Sequence, residues 1–356
     1  MNERAKTKVV ITEAELGRLG TDALVALGMR PDDAADAARI LVLADLFGVS
    51  THGVSRIESY GERLMIAGIK AMPEIQIEKV APAIARVDGD NGLGPLVGQR
   101  ALSAAMDMAR EHGIGVVFAR GSNHFGPVAP YNMIAAEAGF ASMIGSNATT
   151  TIAPWGGREA KLGNSPLGFG IPDPDGRPFI LDMAMSVVAR AKIRNAVKQG
   201  TAIPPIWATD SNGVPTEDPT AALAGFLQPI GGHKGYGLAL VVDLLAGLLS
   251  DAAYLTHVRS WVDAPDQPQN LGHFFILIDV TRLGSADWLS RRMKDFAAIL
   301  HDTPPADPAR PVLLPGETEL GNLERQRHEG IAIDPEVLKA LHRFARVGAS
   351  AGETLG

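Results

Sequence analysis

Apolar residues recur at helical spacing at both ends of the chain and form short runs between turn residues in its middle. The first segment opens with a capping-box pattern, Thr12 to Glu15, ahead of apolar residues three to four apart. Pro31 suits the first position of a second helix, and Gly48 suits its end. These patterns predict helices from the Thr12 cap to about Leu27, from Pro31 to about Phe47, and from about Thr51 to Gly68.

The middle of the chain predicts a sheet, because short apolar runs lie between clusters of Gly, Pro and Asn. The predicted strands are Ala83–Val87, Gly115–Ala119, Ala141–Gly145, Phe169–Ile171 and Phe179–Leu181. Further helices are predicted at Pro95–Glu111, Val128–Ala138, Gly237–Leu249 and about Pro335–Arg346. The coarse picture is a strand-rich middle flanked by helical ends.

The charge balance of the chain is mildly acidic, with 33 Lys and Arg against 40 Asp and Glu in 356 residues. Such a surface does not attract polyanions, so neither nucleic acid nor a membrane is predicted as a partner. The first residues are polar, and the most apolar stretch, Leu238–Leu249, is shorter than the roughly 20 residues that a bilayer crossing needs. We therefore expect a soluble protein of the cytoplasm.

Several common kinds of site are absent from the sequence. The chain has no Cys and no H-E-x-x-H pair, so no metal site, disulfide or thiol nucleophile is predicted. Two Gly-x-Gly segments fail the dinucleotide fingerprint, because Val97 and Asp173 stand where a third Gly is needed. Chemistry must then rest on His, Lys, Arg, Asp, Glu, Ser or Thr, or on a bound cofactor.

The segment Ser50–Arg56 places the His52 imidazole four residues before the Arg56 guanidinium. On a helix these two side chains would share a face. A guanidinium can hold a carboxylate while the imidazole exchanges a proton with a neighbouring oxygen, which suits a 2-hydroxy or 2-oxo acid. Arg56 would also lower the pKa of His52 and favour the neutral base near pH 7. A helix-start histidine beside a surface arginine fits the same spacing.

Further segments combine Gly with polar side chains: Arg120–Pro127, Pro154–Gly157, Gly163–Gly170, Leu181–Ala184, Gly231–Gly237 and Leu314–Glu317. Arg120–Pro127 lies at the start of one predicted helix, and Gly231–Gly237, which contains Lys234, lies at the start of another. Free N–H groups at a helix start can bind phosphate. Asp182 could accept a hydrogen bond from a ribose or an amide, or cap a helix. Ordinary capped turns fit all of these patterns equally well.

Together these segments resemble the type-2 malate/L-lactate dehydrogenase family of NAD(P)-dependent oxidoreductases, which includes ureidoglycolate and sulfolactate dehydrogenases and piperideine-2-carboxylate reductases. The resemblance runs from about Ile11 to Glu317 and rests on blocks in the family's order. The blocks are Ala44–Leu46, Thr51–Arg56, Ser122–Gly126, Pro154–Gly157, Asp182–Ala184, Trp207–Pro219, Gly232–Leu238 and Pro315–Glu317.

The resemblance implies an α/β chain of the α+β type. A non-Rossmann NAD(P)-binding domain with a mixed, largely antiparallel sheet would comprise residues 81–284. Residues 1–80 with 285–356 would form a mainly helical domain for substrate and dimer contacts. The family resemblance also implies a homodimer.

The resemblance carries specific roles to residues of this chain. His52, with Thr51 beside it, would exchange the proton at the substrate oxygen, and Arg56 would bind the substrate carboxylate. His124 is the alternative proton acceptor, and otherwise lies at the cofactor. The implied cofactor-binding residues are His124, Phe125, Gly126, Asp182, Met183, Ala184, His233, Lys234, Pro315, Gly316 and Glu317.

Three departures from the family pattern affect the substrate. Thr51 replaces the usual Ser before the histidine, and Asn164 places an amide where a substrate-side hydroxyl is common. No acid occurs in Ala189–Lys192, where some imine-reducing relatives carry an aspartate relay.

The sequence therefore predicts hydride transfer between NAD or NADP and C2 of a small 2-hydroxy or 2-oxo acid. The alternatives are a reductase of cyclic imine acids such as piperideine-2-carboxylate and a catalytically silent ligand-binding protein.

Overall fold

The structure is a computed structural model that describes residues 8–352, with side chains described as far as residue 345. Its described α-helices, α1 to α11, are Glu13–Ala26, Pro31–Leu46, Arg56–Met65, Gly94–His112, Ala129–Glu137, Arg190–Gln199, Pro219–Ala224, His233–Asp243, Ala286–His301, Glu317–Glu329 and Pro335–Gly352. Short 3₁₀ turns lie at Ser50–His52, Leu255–His257 and Val280–Arg282, and a π-helix, Leu244–Leu248, continues α8.

The described strands number thirteen and pair into three sheets. In chain order, β1 to β13 are Val9–Ile11, Gln76–Ala81, Ile84–Asp88, Ile114–Ser122, Phe140–Ser146, Thr150–Ile152, Leu162–Gly163, Leu167–Ile171, Phe179–Met183, Ala208–Thr209, Phe226–Leu227, Leu271–Asp279 and Ile331–Ile333. The predicted mixed architecture of helices and strands is confirmed.

The principal sheet has seven strands in the order β2-β3-β4-β12-β5-β8-β9. Its neighbouring pairs are antiparallel except β3 with β4. A second sheet runs β10-β11-β6-β7, and β1 pairs with β13. A largely antiparallel sheet is the arrangement that the sequence analysis expected.

The first two helices form where their caps predict them. The Thr12 side chain accepts a hydrogen bond from the Glu15 N–H at 3.2 Å, and Pro31 is the first residue of α2. The predicted start of the third helix near Thr51 is wrong, because Ser50–His52 form a separate 3₁₀ turn and α3 begins at Arg56.

The cause of this interruption is a buried carboxylate. In a continuous helix the Val54 N–H would bond to the carbonyl of Ser50. It donates instead to Asp45 Oδ2 at 2.8 Å, which ties the chain to α2. His52 and Arg56 are therefore not one turn apart on a single helix.

The central strand, β12, is missing from the sequence prediction. Its residues form a nearly continuous apolar run, Leu271–Asp279, rather than an alternating pattern. Both faces of the sheet are covered at this strand: Phe275 and Leu277 join a core with α2, α4 and α5, and Phe274 joins a second core with α6 and α8. A strand buried on both faces loses the alternation that identifies a strand in sequence.

Within residues 8–352, none of the helices is both long enough and apolar enough to cross a membrane.

Candidate active site

A cleft of about 880 Å³ opens at the end of the principal sheet where β4 and β5 end and β12 begins. Its walls come from the turn before α3, the loop between β4 and α5, the segment from β9 to α6, the loop 260–271 and the loop before α10. His52, Arg56 and His124 all line this cleft. The three side chains predicted to carry the chemistry therefore face one space.

His52 is held by the residue that precedes it. Thr51 Oγ1 lies 2.9 Å from His52 Nδ1, and Arg56 Nε donates to the Thr51 carbonyl at 2.6 Å. A hydroxyl can donate or accept, so Thr51 can support His52 whichever ring nitrogen carries the proton. The Thr51 side chain thus orients His52 without itself being among the residues that line the cleft.

The turn that carries His52 rests on Asp45. The Asp45 carboxylate is buried in α2 beneath Gly53, and a Cβ at Gly53 would overlap its atoms. Burial raises the pKa of Asp45 to about 7, against a smaller opposite effect of the Val54 N–H. Gly53 is therefore required by close approach of the backbone to Asp45.

His52 is neutral at physiological pH. Its pKa falls to about 4, first because burial disfavours the charged ring and second because Arg56 repels a positive charge. The lowering of this pKa that was predicted from Arg56 is present, but burial is the larger cause. A neutral imidazole can accept a proton, which is what removal of a hydroxyl proton requires.

His124 lies beside His52, with 5.5 Å between the ring centroids. Its Nδ1 is 2.7 Å from the hydroxyl of Tyr60, which is fully buried in α3. Burial lowers the pKa of His124 well below its usual value, and the nearby His52 lowers it further. The site thus contains two neutral imidazoles in contact with the same cleft.

Trp261 covers these side chains from the loop 260–271. Its ring centroid is 5.2 Å from that of His124, and the Arg56 guanidinium lies 5.5 Å from the indole centroid. A cation over an indole is attracted by the ring's electron-rich face. Trp261 therefore keeps Arg56 close to the two histidines.

Arg63 fixes the loop that carries Trp261. Its buried guanidinium has every N–H donor matched to an uncharged acceptor at 2.8–3.2 Å. The acceptors are the carbonyls of Gly68, Pro265 and Gln267 and the side chains of Asn123 and Gln269. One side chain of α3 thus joins the Trp261 loop to the residue before His124.

Asp182 lies in β9 and lines the cleft, but it also caps a helix. Its Oδ2 accepts hydrogen bonds from the N–H groups of Val128 and Ala129, each at 2.8 Å. The N–H groups of Val128 and Ala129 at the start of α5 are therefore occupied by Asp182 and are not free to bind a phosphate. Burial raises the pKa of Asp182 to about 6.

The remaining predicted site residues divide into two groups. Those that line the cleft are Phe125, Gly126, Asn164, Ala184, Pro315 and Gly316. Met183 instead packs against the second core, and Glu317 accepts from the Leu314 N–H and pairs with His301. His233 and Lys234 are exposed at the start of α8 and are not among the described lining residues.

Several lining or adjoining residues were not predicted. They are Tyr60, Trp261, Asn147, Thr149, Thr151, Arg190 and Arg194. Tyr60 fits the buried stripe of a helix, and Trp261 stands far from the motifs in sequence. The spacing of Tyr60 and Trp261 in the sequence gives no indication that they contact His124.

Comparisons with known proteins bear on this site. The model of the family described as malate/L-lactate dehydrogenase matches residues 11–342. The chain belongs to the malate/L-lactate dehydrogenase family. A malate dehydrogenase of Pyrococcus abyssi is 34% identical over 346 residues, covering 95% of this chain and 94% of that protein. The resemblance stated from the sequence motifs is therefore confirmed.

Two further relatives show the breadth of the family. The NAD(+)-dependent ureidoglycolate dehydrogenase of Escherichia coli K12 is 31% identical over 331 residues, covering 93% of this chain and 94% of that protein. The structure of a sulfolactate dehydrogenase from Methanocaldococcus jannaschii superposes with a TM-score of 0.88 at 32% identity, covering 96% of this chain and 98% of that one. As a member of this family, the chain is an oxidoreductase that depends on NAD or NADP.

The cleft suits a dinucleotide of this kind in chemistry as well as in size. Arg190 and Arg194 line it, and Asn147, Thr149 and Asn164 supply uncharged polar groups. Thr151 also lines it, and its buried hydroxyl has no hydrogen-bond partner within the described residues. Burying a hydroxyl without a hydrogen-bond partner costs free energy, unless a bound ligand supplies the partner.

Proposed function

We propose that this protein transfers a hydride between NAD(P) and C2 of a small 2-hydroxy or 2-oxo acid. The observation that carries the proposal is that His52, Arg56 and His124 line the same cleft. The relatives named above act on malate, sulfolactate and ureidoglycolate, all of them acids of this class by their names.

His52 and Arg56 have distinct tasks in this proposal. Arg56 binds the substrate carboxylate in a charge-assisted pair and so fixes the orientation of C2. In the direction of oxidation, the neutral His52 accepts the proton of the substrate hydroxyl. In the direction of reduction, protonated His52 returns a proton to the carbonyl oxygen.

The nicotinamide cofactor, when bound, accepts or supplies the hydride at its ring. The residues that would hold it are those of the cleft beyond Arg56, with Arg190 and Arg194 toward its phosphates and Thr151 and Asn164 as hydrogen-bonding groups. Phe125, Gly126, Asp182, Ala184, Pro315 and Gly316 would supply the surrounding wall. Thr51 and His124 would complete the catalytic group around His52.

A spectrophotometric panel tests the proposal. We expect loss of absorbance at about 340 nm when NADH or NADPH is mixed with at least one 2-oxo acid. His52→Ala should lower kcat by roughly 10²–10⁴-fold, and Arg56→Lys should mainly raise KM because lysine cannot form the bidentate fork. The exposed His328→Ala on α10 is the matched control.

Three outcomes would count against parts of this proposal. Turnover of piperideine-2-carboxylate without turnover of any 2-oxo acid would assign the protein to imine reduction. Binding without turnover of any substrate would indicate a silent ligand-binding protein. Near-normal turnover in His52→Ala together with loss of turnover in His124→Ala would make His124 the proton-exchanging residue.

The larger organisation is also a proposal. We keep the division into a cofactor domain, residues 81–284, and a helical domain, residues 1–80 with 285–356, and a location in the cytoplasm. A homodimer is supported by apolar side chains that are exposed along α8, along the π-helix and at the residue that follows it, namely Leu238, Val241, Leu244, Leu248 and Leu249. Sedimentation equilibrium measures the mass of the assembly directly.

A further inference from the structure

His273 is a fully buried histidine near the start of β12, in contact with Ser146 and Phe125, which line the cleft. Its Nδ1 lies 2.8 Å from Ser146 Oγ and its Nε2 lies 2.7 Å from Ser122 Oγ. Ser122 is the last residue of β4 and Ser146 is the last residue of β5. One imidazole therefore connects the ends of both strands that flank β12.

The segments that leave these two strands form part of the site. Asn123, His124 and Phe125 follow Ser122, and Asn147 follows Ser146. His124, Phe125 and Asn147 line the cleft. Any movement of the strand ends would therefore be passed directly to side chains of the site.

The His273 ring also supports Phe125 by stacking. Their ring centroids are 4.2 Å apart and the ring planes differ by 6°. Phe125 stacks on Tyr131 as well, at 4.9 Å, and the Tyr131 hydroxyl donates to the Phe125 carbonyl at 2.6 Å. The residue next to His124 is thus held through both its ring and its backbone.

The hydrogen bonds around His273 have a consistent direction. The Ser146 hydroxyl lies 2.9 Å from the Asn147 carbonyl and donates to it, so it accepts from His273 Nδ1–H. The Ser122 hydroxyl lies 3.3 Å from the Asn123 carbonyl but only 2.7 Å from His273 Nε2, so it donates to the closer Nε2, which is the acceptor. Only a neutral ring allows this arrangement, because a protonated imidazole has two donors and no acceptor.

Burial lowers the pKa of His273 to about 3, which keeps the ring neutral. The ring is out of reach of solvent and is flanked by hydroxyls and an aromatic ring. The ring does not itself line the cleft, and it acts on the site through Ser122, Ser146 and Phe125.

We propose that His273 is a positioning residue, which joins the ends of β4 and β5 and supports Phe125 so that His124 is held beside His52. This inference rests on the proposed function, in which the two neighbouring imidazoles serve the proton step. It predicts that loss of the two hydrogen bonds damages the reaction more than it damages the fold.

His273→Phe keeps a ring for stacking and removes both hydrogen bonds. We expect kcat to fall by about 10- to 100-fold, as for a small misplacement of a reacting group, with a smaller change in KM. The control is Phe274→Leu, because Phe274 is equally buried but points to the opposite face of the sheet. His273→Gln should recover part of kcat because its amide can still bond to Ser122. Equal kcat in His273→Phe and Phe274→Leu would overturn the proposal.

A second measurement does not depend on turnover. In protein labelled with ¹⁵N-histidine, the ring-nitrogen signals of His124 should shift in His273→Phe and stay in place in Phe274→Leu. Unchanged His124 signals in His273→Phe would also overturn the proposal. If wild type turns over no acid of the panel, the proposed function fails while this spectrum still tests the role of His273.

A milder variant covers the case in which His273→Phe does not fold. Ser122→Ala removes the bond on the His124 side and leaves the ring in place. We expect it to shift the His124 signals in the same direction, and unchanged signals would contradict the proposal.

Discussion

At the scale of single residues, the Tyr60 hydroxyl determines which ring nitrogen of His124 carries the proton. Burial raises the pKa of Tyr60, so the phenol keeps its proton. The described contact of this hydroxyl is His124 Nδ1, and a buried O–H that donates to nothing is costly. Tyr60 therefore donates, which places the His124 proton on Nε2. Such a ring is a donor, so His52 is the better placed of the two to accept the substrate proton.

Tyr60→Phe tests this division of roles. Without the hydroxyl, His124 Nδ1 loses its partner and the two neutral tautomers become closer in free energy. We expect kcat/KM to fall about tenfold, which corresponds to loss of one hydrogen bond to a group in the site. Steady-state kinetics with the best acid of the panel measures it. The control is Tyr254→Phe, whose side chain is partly exposed. Equal kinetics in both variants would contradict the assignment.

The residues that could be identified from the sequence are those whose role follows from residue type and spacing. His52, Arg56 and His124 were selected as a proton carrier, a carboxylate anchor and an alternative proton carrier, and they line one cleft. Tyr60 and Trp261 were not selected, because their contacts with His124 join parts of the chain 64 and 137 positions apart. Only the fold brings such positions together.

At the scale of elements, the turn between α2 and α3 sets the geometry of the site. A continuous helix would have placed His52 and Arg56 one turn apart. The Asp45 carboxylate instead takes the Val54 N–H, so a 3₁₀ turn carries His52 and a separate helix carries Arg56. Asp45 thus acts on the site through the backbone of the turn.

Gly53→Ala should displace this turn. The added Cβ would overlap the Asp45 carboxylate, whereas the same change at Gly321 in α10 meets nothing within 4 Å. We expect Gly53→Ala to lower the free energy of unfolding by about 1–3 kcal/mol, as overpacking does, and to lower kcat as well. Urea unfolding and steady-state kinetics measure the two effects. If Gly53→Ala behaved like Gly321→Ala, the close approach would not constrain the site.

Elements differ in how readily their sequence reveals them. The strands β3, β4, β5, β8 and β9 were predicted because turn residues bound their apolar runs. β12 was missed because burial on both faces removed its alternation, although it lies at the centre of the sheet. α9 was also missed, although Leu289, Met293, Phe296 and Leu300 recur along it at helical spacing.

At the scale of the whole molecule, the buried titratable groups of the site make opposite contributions to stability. His52 and His273 have pKa values of about 4 and 3 in the folded protein, and near 6.5 when unfolded. As pH falls below about 6.5, the unfolded chain takes up protons that the folded chain excludes, so these histidines lower stability. Asp45 and Asp182, with pKa values of about 7 and 6, bind protons in the folded state instead. They therefore lower stability as pH rises from about 4 to 7.

Asp45→Asn isolates one of these contributions. In wild type the cost of ionising Asp45 in the folded state grows as pH rises from its unfolded pKa of 3.8 through about 7. The asparagine side chain can accept the hydrogen bond from the Val54 N–H, and because it does not ionise it carries no cost of burying a charge. The free energy of unfolding of Asp45→Asn, relative to wild type, should therefore increase with pH by a few kcal/mol at about 1.4 kcal/mol per pKa unit.

Urea unfolding at about pH 5 and about pH 8 measures this difference. Asp287→Asn is the control, because it makes the same change at an exposed carboxylate in the first turn of α9. A difference for Asp45→Asn that stayed constant with pH would mean that Asp45 keeps an ordinary pKa in the folded protein. Burial beneath Gly53 would then not determine whether the Asp45 carboxyl, on which the turn carrying His52 rests, is ionised.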